Sequence, residues 1–169
     1  MIFATKQQSV DIELFLDNCQ LERVKCTKFL GVIIIEKLTW DEHISQICSK
    51  VSKQIGILRR IKYKIPFILL RSLYFTLINP YFEYCNIIWA ISSSGVLDKL
   101  FRLQKRAIRL VANSVYKAHT APLFLKLNVL TVYQINNIQV ASFMYRVQNK
   151  LLPQYFNDMF TTNSYVHGY

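Results

Sequence analysis

The first part of the chain alternates short apolar runs with polar turn signals. Runs rich in β-branched and aromatic residues at 1–5, 12–16, 21–25 and 29–35 predict short strands. The Asp17-Asn18 pair between the second and third runs predicts a hairpin turn. The continuous apolar run 29–35 predicts a buried strand, in which Gly31 allows another backbone or a ligand to approach closely. Together these runs predict a small antiparallel sheet of three or four strands.

The pattern changes to helical spacing after residue 38. Thr39 and Glu42 form a capping-box pattern that predicts a helix start. Pro66 predicts the first residue of a second helix, and Pro80 predicts its end. Residues 67–79 between them are apolar nearly all round, which predicts a buried helix. The apolar positions that define the first helix are Ile44, Ile47, Cys48, Val51, Ile55 and Leu58.

The second half of the chain continues as helices. Residues 97–111 form the clearest amphipathic pattern. A second capping-box pattern, Thr131 with Gln134, predicts a helix that continues to about residue 149. Residues 153–160 predict one more short helix, and residues 161–169 a loose tail. The chain has 169 residues, 52% of them hydrophobic, so it is long enough to build a core. The predicted fold is mainly α: a helical bundle with a small N-terminal antiparallel β-sheet.

Charge is distributed unevenly along the chain. The sequence holds 21 Lys and Arg against 10 Asp and Glu, a net charge of +11. Residues 1–42 carry a net −2, whereas residues 43–169 carry +13 with only three acidic side chains. The whole surplus therefore lies in the helical region. A basic helical region indicates binding to a polyanion, with nucleic acid as the first choice.

Two clusters of cations contain no acidic residue between their first and last members. On the predicted helix 97–111, five cations share an arc of about 120° at helical spacing. Such like charges repel each other by a few tenths of a kcal/mol per pair, a cost that a polyphosphate offsets. A solvated face and an acidic membrane surface are the alternatives. The first cluster is Lys99, Arg102, Lys105, Arg106 and Arg109, and the second is Lys50, Lys53, Arg59, Arg60, Lys62 and Lys64.

The sequence shows no catalytic or metal-binding constellation. The four cysteines have no CxxC spacing, the four glycines are isolated, and no pair of carboxylates is arranged for catalysis. Asp41 and Glu42 are better explained as charges in the first turn of a helix than as metal ligands. The most apolar stretch, residues 72–82, is too short to span a membrane, and no signal peptide is visible. We therefore expect no cofactor, no metal and no membrane, and an intracellular protein of the nucleus or the cytoplasm.

A series of short motifs resembles one known family. Their order and spacing over residues 29–153 are similar to those of reverse transcriptases from non-LTR (LINE-type, jockey-like) retrotransposons. Each motif is weak alone, and the ordered set is specific. The motifs are Phe29-Leu30-Gly31-Val32, Leu38-Thr39-Trp40, His43-Ile44, Lys50, Lys53, Gly56, Leu58, Pro66, Leu73-Tyr74, Leu77-Ile78, Pro80-Tyr81, Tyr84-Cys85, Trp89, Leu100, Leu103-Gln104-Lys105-Arg106-Ala107-Ile108-Arg109, His119-Thr120, Pro122-Leu123-Phe124, Leu127, Leu130, Phe143-Met144-Tyr145-Arg146 and Leu152-Pro153.

The resemblance implies a domain organisation. Residues 1–38 would be the end of a polymerase palm, with Met1-Ile2-Phe3 as a strand and Phe29, Leu30, Gly31 and Val32 as a primer-grip-like hairpin. Residues 39–160 would form the thumb-like helical region, and residues 161–169 a flexible tail. Ile35 stands where many relatives have Asp, so this turn differs from theirs.

The resemblance also implies a binding function without catalysis. The partner would be a template–primer duplex, RNA–DNA or DNA, together with the palm and fingers that precede this region in the family. The catalytic Asp residues and their Mg²⁺ belong to that preceding part, so the chain alone is not expected to polymerise. The start at Met1 within a palm suggests a truncated or decayed element, or a fragment. Three interpretations stay open: a duplex-binding remnant, a decayed product without a function, and a helical protein-interaction module.

Overall fold

The computed structural model of the protein describes residues 13–90 and 94–160, and within them the fold is mainly α with small antiparallel sheets at the N-terminal end, as predicted. The predicted strand at residues 1–5 and the tail at 161–169 lie outside the described residues. The strands are β1 (Phe15–Leu16), β2 (Cys19–Gln20), β3 (Cys26–Phe29) and β4 (Val32–Ile35). The helices are α1 (Asp41–Ile61), α2 (Phe67–Leu77), α3 (Asn79–Glu83), α4 (Asn86–Trp89), α5 (Ser94–Val111), α6 (Ala121–Leu127), α7 (Val132–Gln148) and α8 (Gln154–Asn157).

The first hairpin turns at the predicted pair. Asp17 and Asn18 have φ of 49° and 62°, and the flanking Leu16 pairs with Cys19. Two central residues with positive φ are the requirement of a type I′ turn, which suits the twist of a two-residue hairpin. The predicted turn is confirmed. The predicted partner strand at 21–25 is wrong, because a two-residue turn brings Cys19–Gln20 directly opposite β1.

The second hairpin corrects the prediction of one buried strand at 29–35. Leu30 and Gly31 have φ of 46° and 85° and form a tight turn, so Phe29 pairs with Val32. The glycine permits this turn because it has no Cβ to clash at positive φ. β3 and β4 therefore form their own two-stranded sheet, separate from β1 and β2, so the described strands form two small sheets and not the single sheet of three or four strands that was predicted. The apolar run lies on both sides of a turn, and of its residues only Val32 is buried.

Helix α1 begins without the predicted capping box. Its N-cap is Trp40, and no side chain caps the helix, so the Thr39–Glu42 prediction is wrong. A turn precedes the helix, in which the Leu38 N–H donates to the Ile35 carbonyl at 2.9 Å and Leu38 has a φ of 54°. This turn places the threonine one residue too early to act as the N-cap. The acidic residues of the first turn, Asp41 and Glu42, instead complement the positive end of the helix dipole.

Helix α2 is only half buried, although its sequence predicts burial all round. Leu70 and Tyr74 are buried on the face that packs against α1, α3 and α5. Phe67, Ile68 and Leu69 are all exposed on other faces, Ile68 by 74%. The prediction of a fully buried helix is therefore wrong, because neighbouring elements cover one face only.

The two prolines lie at helix ends, as predicted, but each differs in detail from its predicted role. Pro66 is the N-cap of α2, so the helix begins at Phe67, one residue after the predicted start. Pro80 lies in the first turn of α3, where a proline costs no hydrogen bond. It therefore opens the next short helix rather than closing α2, which already ends at Leu77.

The core lies mainly between α1 and α5, which pack along their length. Ile44, Val51 and Leu58 of α1 are at most 1% exposed. Leu100 and Ile108 of α5 are fully buried in the same cluster. Around them lie other large buried side chains, which come from the segment between α2 and α6. These are Tyr74, Ile78, Phe82, Trp89, Phe124 and Leu127.

A buried glutamine joins three helices inside this core. The Gln104 Nε2 donates to the Tyr74 Oη at 3.2 Å and to the Leu130 carbonyl at 2.9 Å, while its Oε1 accepts from the Val132 N–H at 2.9 Å. One side chain therefore connects α2, α5 and the start of α7. Burial also raises the pKa of the Tyr74 phenol, so this network stays uncharged.

The start of α7 carries the predicted capping box. The Thr131 Oγ1 accepts from the Gln134 N–H at 3.2 Å, and the Gln134 Oε1 accepts from the Thr131 N–H at 2.9 Å. This reciprocal pair satisfies two backbone donors at the helix start. The helix runs from Val132 to Gln148, close to the predicted end at 149.

A buried histidine connects the second hairpin to α1. The His43 Nδ1 accepts from the Ile33 N–H at 3.3 Å, and the ring meets Trp89 edge-on with centroids 6.1 Å apart. The Nε2 is buried and has no hydrogen-bond partner among the described residues. Burial, and secondarily the charge of Lys50, lowers the pKa of His43 below 6.5. The neutral imidazole is therefore the form that fits the fold.

Replacing Gln104 by leucine is expected to destabilise the fold by about 3 kcal/mol, because the Leu130 carbonyl and the Val132 N–H lose their partner in the core. Urea unfolding followed by circular dichroism measures this change. The matched control is Gln139→Leu, since the Gln139 Nε2 donates to the Glu83 carbonyl at the surface. We expect the control to cost less than about 1 kcal/mol, and equal losses would contradict the structural role of Gln104.

The free energy of unfolding is expected to fall as the pH drops below 6.5, because the unfolded chain then binds a proton that folded His43 excludes. Well above that pH both states are neutral at this residue, so its contribution is constant. Denaturant titrations between pH 5 and pH 8 test this dependence. The His43→Gln variant should show a flatter profile than the wild-type protein. A His43→Gln profile identical to wild type would refute the assignment.

Candidate nucleic-acid interface

The cations of α5 lie opposite its buried face. Because the helix repeats every 3.6 residues, apolar side chains such as Leu100 and Ile108 face the core while the basic ones face outward. Lys99, Arg102 and Arg106 are exposed. Lys105, at one edge of the stripe, and Arg109, next to it on the helix surface, are partly buried. The predicted stripe therefore lies on one face of the helix, as its spacing indicates.

All five cations of α5 line one surface cavity beside α1. This cavity has a volume of about 680 Å³, and α1 contributes Asp41, Ser45 and Cys48 to its other wall. A smaller adjoining cavity of about 220 Å³ shares two of the arginines and continues toward the end of α1. We refer to the two cavities together as the basic groove. Its cations are Arg59, Lys62, Lys99, Arg102, Lys105, Arg106 and Arg109.

Two cations of the second predicted cluster join the groove. Arg59 and Lys62 line its smaller cavity together with Arg106 and Arg109. The Lys62 Nζ donates to the Asn113 Oδ1 at 3.4 Å, which connects the end of α1 to the segment after α5. The two helices are therefore adjacent, and each contributes cations to the same surface.

The other cations of that cluster lie on different parts of α1. The Lys50 Nζ lies over the Tyr81 ring, 5.8 Å from its centroid, on the side of α3. Lys53 and Arg60 are exposed, and helical spacing places both on the solvent side of α1, away from its buried stripe. Lys64 is exposed in the turn after the helix. A single ligand in the groove is thus near two of the six residues in this cluster.

The predicted cations carry charges that are not neutralised within the described part of the chain. None of the eleven forms an ion pair with a carboxylate there. Their recorded contacts are with uncharged groups: the Arg109 Nε donates to the Ala118 carbonyl at 2.9 Å, and the Lys105 Nζ lies 4.2 Å from the Phe101 ring centroid. Asp41 is the acidic residue among those that line the groove. The groove therefore presents a strong positive field to solvent.

Sequence reasoning missed an aromatic residue of the groove. Tyr116 lines both cavities beside Arg106 and Arg109, and it is 81% exposed. An exposed ring among cations is typical of surfaces that bind nucleic acids, because bases and sugars stack on it. The signal in the sequence is Tyr116 next to Lys117 in the connection between α5 and α6, a segment that helical periodicity does not highlight.

The primer-grip-like segment forms the turn of the second hairpin. Phe29 and Leu30 are exposed, whereas Val32 is buried. The Tyr84 Oη donates to the Leu30 carbonyl at 2.6 Å, and its ring lies 3.7 Å from where a Cβ on Gly31 would be. The turn is thus fixed to the end of α3 while its two apolar side chains remain available. Its role at a primer terminus stays a prediction.

Residues 13–90 and 94–160 contain neither a cluster of metal-binding side chains nor a helix suited to a membrane. No group of three or more His, Cys, Asp or Glu side chains is placed there to hold a metal ion. None of the helices in that part combines the length and the apolar character needed to cross a membrane.

Comparison with known proteins gives no match: no family model, no curated protein and no solved structure is similar to the chain. The resemblance to non-LTR reverse transcriptases therefore stays a prediction from motifs. The charge and the geometry of the basic groove carry the functional argument.

Removing one central cation of the groove is expected to stabilise the free protein. Arg102 has cations three residues before it, three after it and four after it, against one carboxylate, Asp98, four before it. Repulsion outweighs attraction, so Arg102→Gln is expected to raise the free energy of unfolding by about 0.5 kcal/mol at low salt. In 1 M salt the gain should vanish, because the charges are screened. Denaturant unfolding at both salt concentrations measures the difference.

The matched control for this prediction is Lys126→Gln. Lys126 is exposed on α6 and has no charged residue three or four positions away. Lys126 lies in the last turn of α6, where a cation favours the helix dipole, so its substitution should not stabilise the protein at either salt concentration. A loss of stability in Arg102→Gln at low salt would show that repulsion does not dominate in the groove.

Proposed function

We propose that the protein binds the sugar–phosphate backbone of a nucleic-acid duplex through the basic groove, as the thumb-like part of a non-LTR retrotransposon reverse transcriptase. The observation that carries the proposal is the convergence of five cations of α5, none of them paired with a carboxylate in the described chain, on one groove beside α1. Arg59 and Lys62 extend the groove at one end.

The dimensions of the stripe suit a phosphate backbone. Lys99 and Arg109 are ten residues apart, which is about 15 Å along a helix axis. One strand of a duplex presents a phosphate every 3.4 Å of its axis, so the stripe spans about four phosphate steps. Contacts of this kind position a duplex without reading its sequence. Binding should therefore depend strongly on salt and weakly on base sequence.

The proposal assigns binding and no bond chemistry to this chain. Polymerisation requires carboxylates that hold two metal ions beside the primer end. The region after residue 42 contains three acidic residues in all. Asp98 accepts a hydrogen bond from the Tyr133 Oη at 2.5 Å, and Glu83 accepts one from Asn79 at 2.7 Å. Each of these two carboxylates thus has a local partner of its own.

Exposed apolar side chains favour a second candidate function, that of a protein-interaction module. Phe15, Leu16, Phe29 and Leu30 of the hairpins are each at least 60% exposed. Such a concentration of large apolar groups is typical of a surface that contacts another protein or domain. In the reverse-transcriptase interpretation this surface would face a palm. In a decayed product it would cause aggregation.

Nuclease treatment and solution behaviour discriminate between these candidates. A duplex-binding protein loses most partners captured from a lysate when nucleic acid is digested, whereas an interaction module keeps a protein partner. A product without a selected function is expected to aggregate through its exposed apolar groups. A monodisperse protein in light scattering would speak against that third interpretation.

Replacing Arg102, Lys105, Arg106 and Arg109 together by glutamine is expected to weaken binding to an RNA–DNA hybrid and to flatten its salt dependence. Each lost phosphate contact lowers the slope of log K against log salt by about 0.9, so the loss of four contacts should lower it by about 3.6. Filter binding between 50 and 300 mM salt measures both quantities.

The control removes the same number of charges elsewhere. Lys53, Arg60, Lys126 and Lys150, all exposed and outside the groove, are replaced by glutamine in one variant. We expect its slope to change by less than about one. A groove variant with an unaltered slope, or a control with an equal loss, would refute the assignment of the groove.

A further inference from the structure

A third cavity lies on the other side of α5 and adjoins the basic groove. It has a volume of about 580 Å³ and is bounded by α5, α6 and the start of α7. This size lies within the range of sites that hold small ligands. Lys105 lines both this cavity and the groove. This cavity and the basic groove therefore meet at a cationic side chain. We refer to this cavity as the aromatic pocket.

The inner wall of the aromatic pocket is formed by phenylalanines. Phe101 and Phe124 are stacked, with ring centroids 6.2 Å apart and an interplanar angle of 29°. Tyr133 meets Phe101 edge-on at 5.1 Å and fixes its orientation. Aromatic side chains held in this way provide stacking surfaces for unpaired nucleobases.

The rim of the pocket carries polar groups that suit the edge of a base. The Gln134 Oε1 accepts both the Thr131 N–H and the Thr131 hydroxyl, which leaves the Nε2 hydrogens of Gln134 available to a ligand. His119 and Asn128 are exposed and line the same space. A pocket with an apolar wall and a few polar groups at its rim binds a flat heterocycle in a defined orientation.

Lys105 lies close to the position that the phosphate of such a nucleotide would occupy. Its ammonium group is 4.2 Å from the Phe101 ring centroid, over the ring and at the edge of the groove. When a base stacks on this ring, the ammonium must leave the ring face, and the nearest strong anion is the phosphate that joins the base to a duplex in the groove. Exchanging a cation–π contact for a phosphate contact is favourable, because the latter joins two full charges.

We propose that the aromatic pocket binds an unpaired nucleobase next to the duplex that occupies the basic groove, with Phe101 as the stacking surface and Lys105 on the connecting phosphate. This inference rests on the proposed function and specifies its substrate: a duplex with a single-stranded end, in preference to a blunt one. Gln134 then donates to the edge of the base.

The test compares a blunt 12-base-pair duplex with the same duplex carrying one unpaired 2-aminopurine nucleotide at an end. The wild-type protein should bind the overhang duplex about tenfold more tightly, the size expected for stacking one base on an aromatic ring. The fluorescence of 2-aminopurine should be quenched on binding, because the base stacks on Phe101. Equal affinities without quenching would overturn the inference.

Two variants test the pocket without altering the groove. Phe101→Leu removes the aromatic face, and Gln134→Glu removes the Nε2 donors while keeping a residue that supports the capping box. Both should reduce the preference for the overhang to less than about threefold while blunt-duplex binding persists. Because Gln134 is exposed, its variant gives a result even if the Phe101 variant fails to fold.

The outcomes separate this inference from the proposed function. If the protein binds both duplexes equally, the groove binds a backbone and the aromatic pocket does not take a base. If the preference survives in both variants, another surface binds the overhang and the inference is wrong. If neither duplex binds, the proposed function fails, and this inference fails with it.

Discussion

The packing of α1 against α5 is the constraint on which the rest of the structure depends. The two helices bury apolar stripes against each other. The residues at the centre of this contact are Val51, Leu58, Leu100 and Ile108. Burying such a stripe fixes the rotation of each helix about its axis, since only one face is apolar. The polar faces are then fixed as well. The basic groove is therefore a consequence of how the core packs, and it needs no separate element to hold it.

Buried polar side chains define how the remaining elements join this pair of helices. Gln104 connects α5 to α2 and to the start of α7, and His43 connects α1 to the second hairpin. Each is a specific connection, because a buried donor or acceptor without its partner is costly. The aromatic pocket depends on the first connection, since Gln104 fixes the segment between α6 and α7 that forms one wall. Helix α5 thus contributes to both sites: the basic groove lies on one side of it, and the aromatic pocket lies on the other.

Signals from neighbouring residues predicted some elements correctly. They failed where contacts between distant parts of the chain determine the structure. The Asp17-Asn18 turn and the capping box at Thr131 could be predicted, because each depends on residues next to one another. The Leu30–Gly31 turn was missed because an apolar run obscures it, and the exposure of α2 depends on which neighbours cover it. Similarly, Arg59 lies in the groove and Arg60 does not, because neighbouring residues on a helix point about 100° apart. Tyr116 lies in the connection between α5 and α6, where the sequence has no helical periodicity. Its place in the groove therefore could not be predicted from the sequence, because it depends on how α5 packs.

The central claim is that a nucleic-acid duplex lies in the groove between α1 and α5, and lysine footprinting tests it most directly. The protein is acetylated briefly with and without an RNA–DNA hybrid, and the modification of each lysine is quantified by mass spectrometry. The account predicts that the hybrid protects Lys62, Lys99 and Lys105, while Lys53 and Lys126 react equally in both samples. Equal protection of all five, or protection of the last two alone, would contradict it.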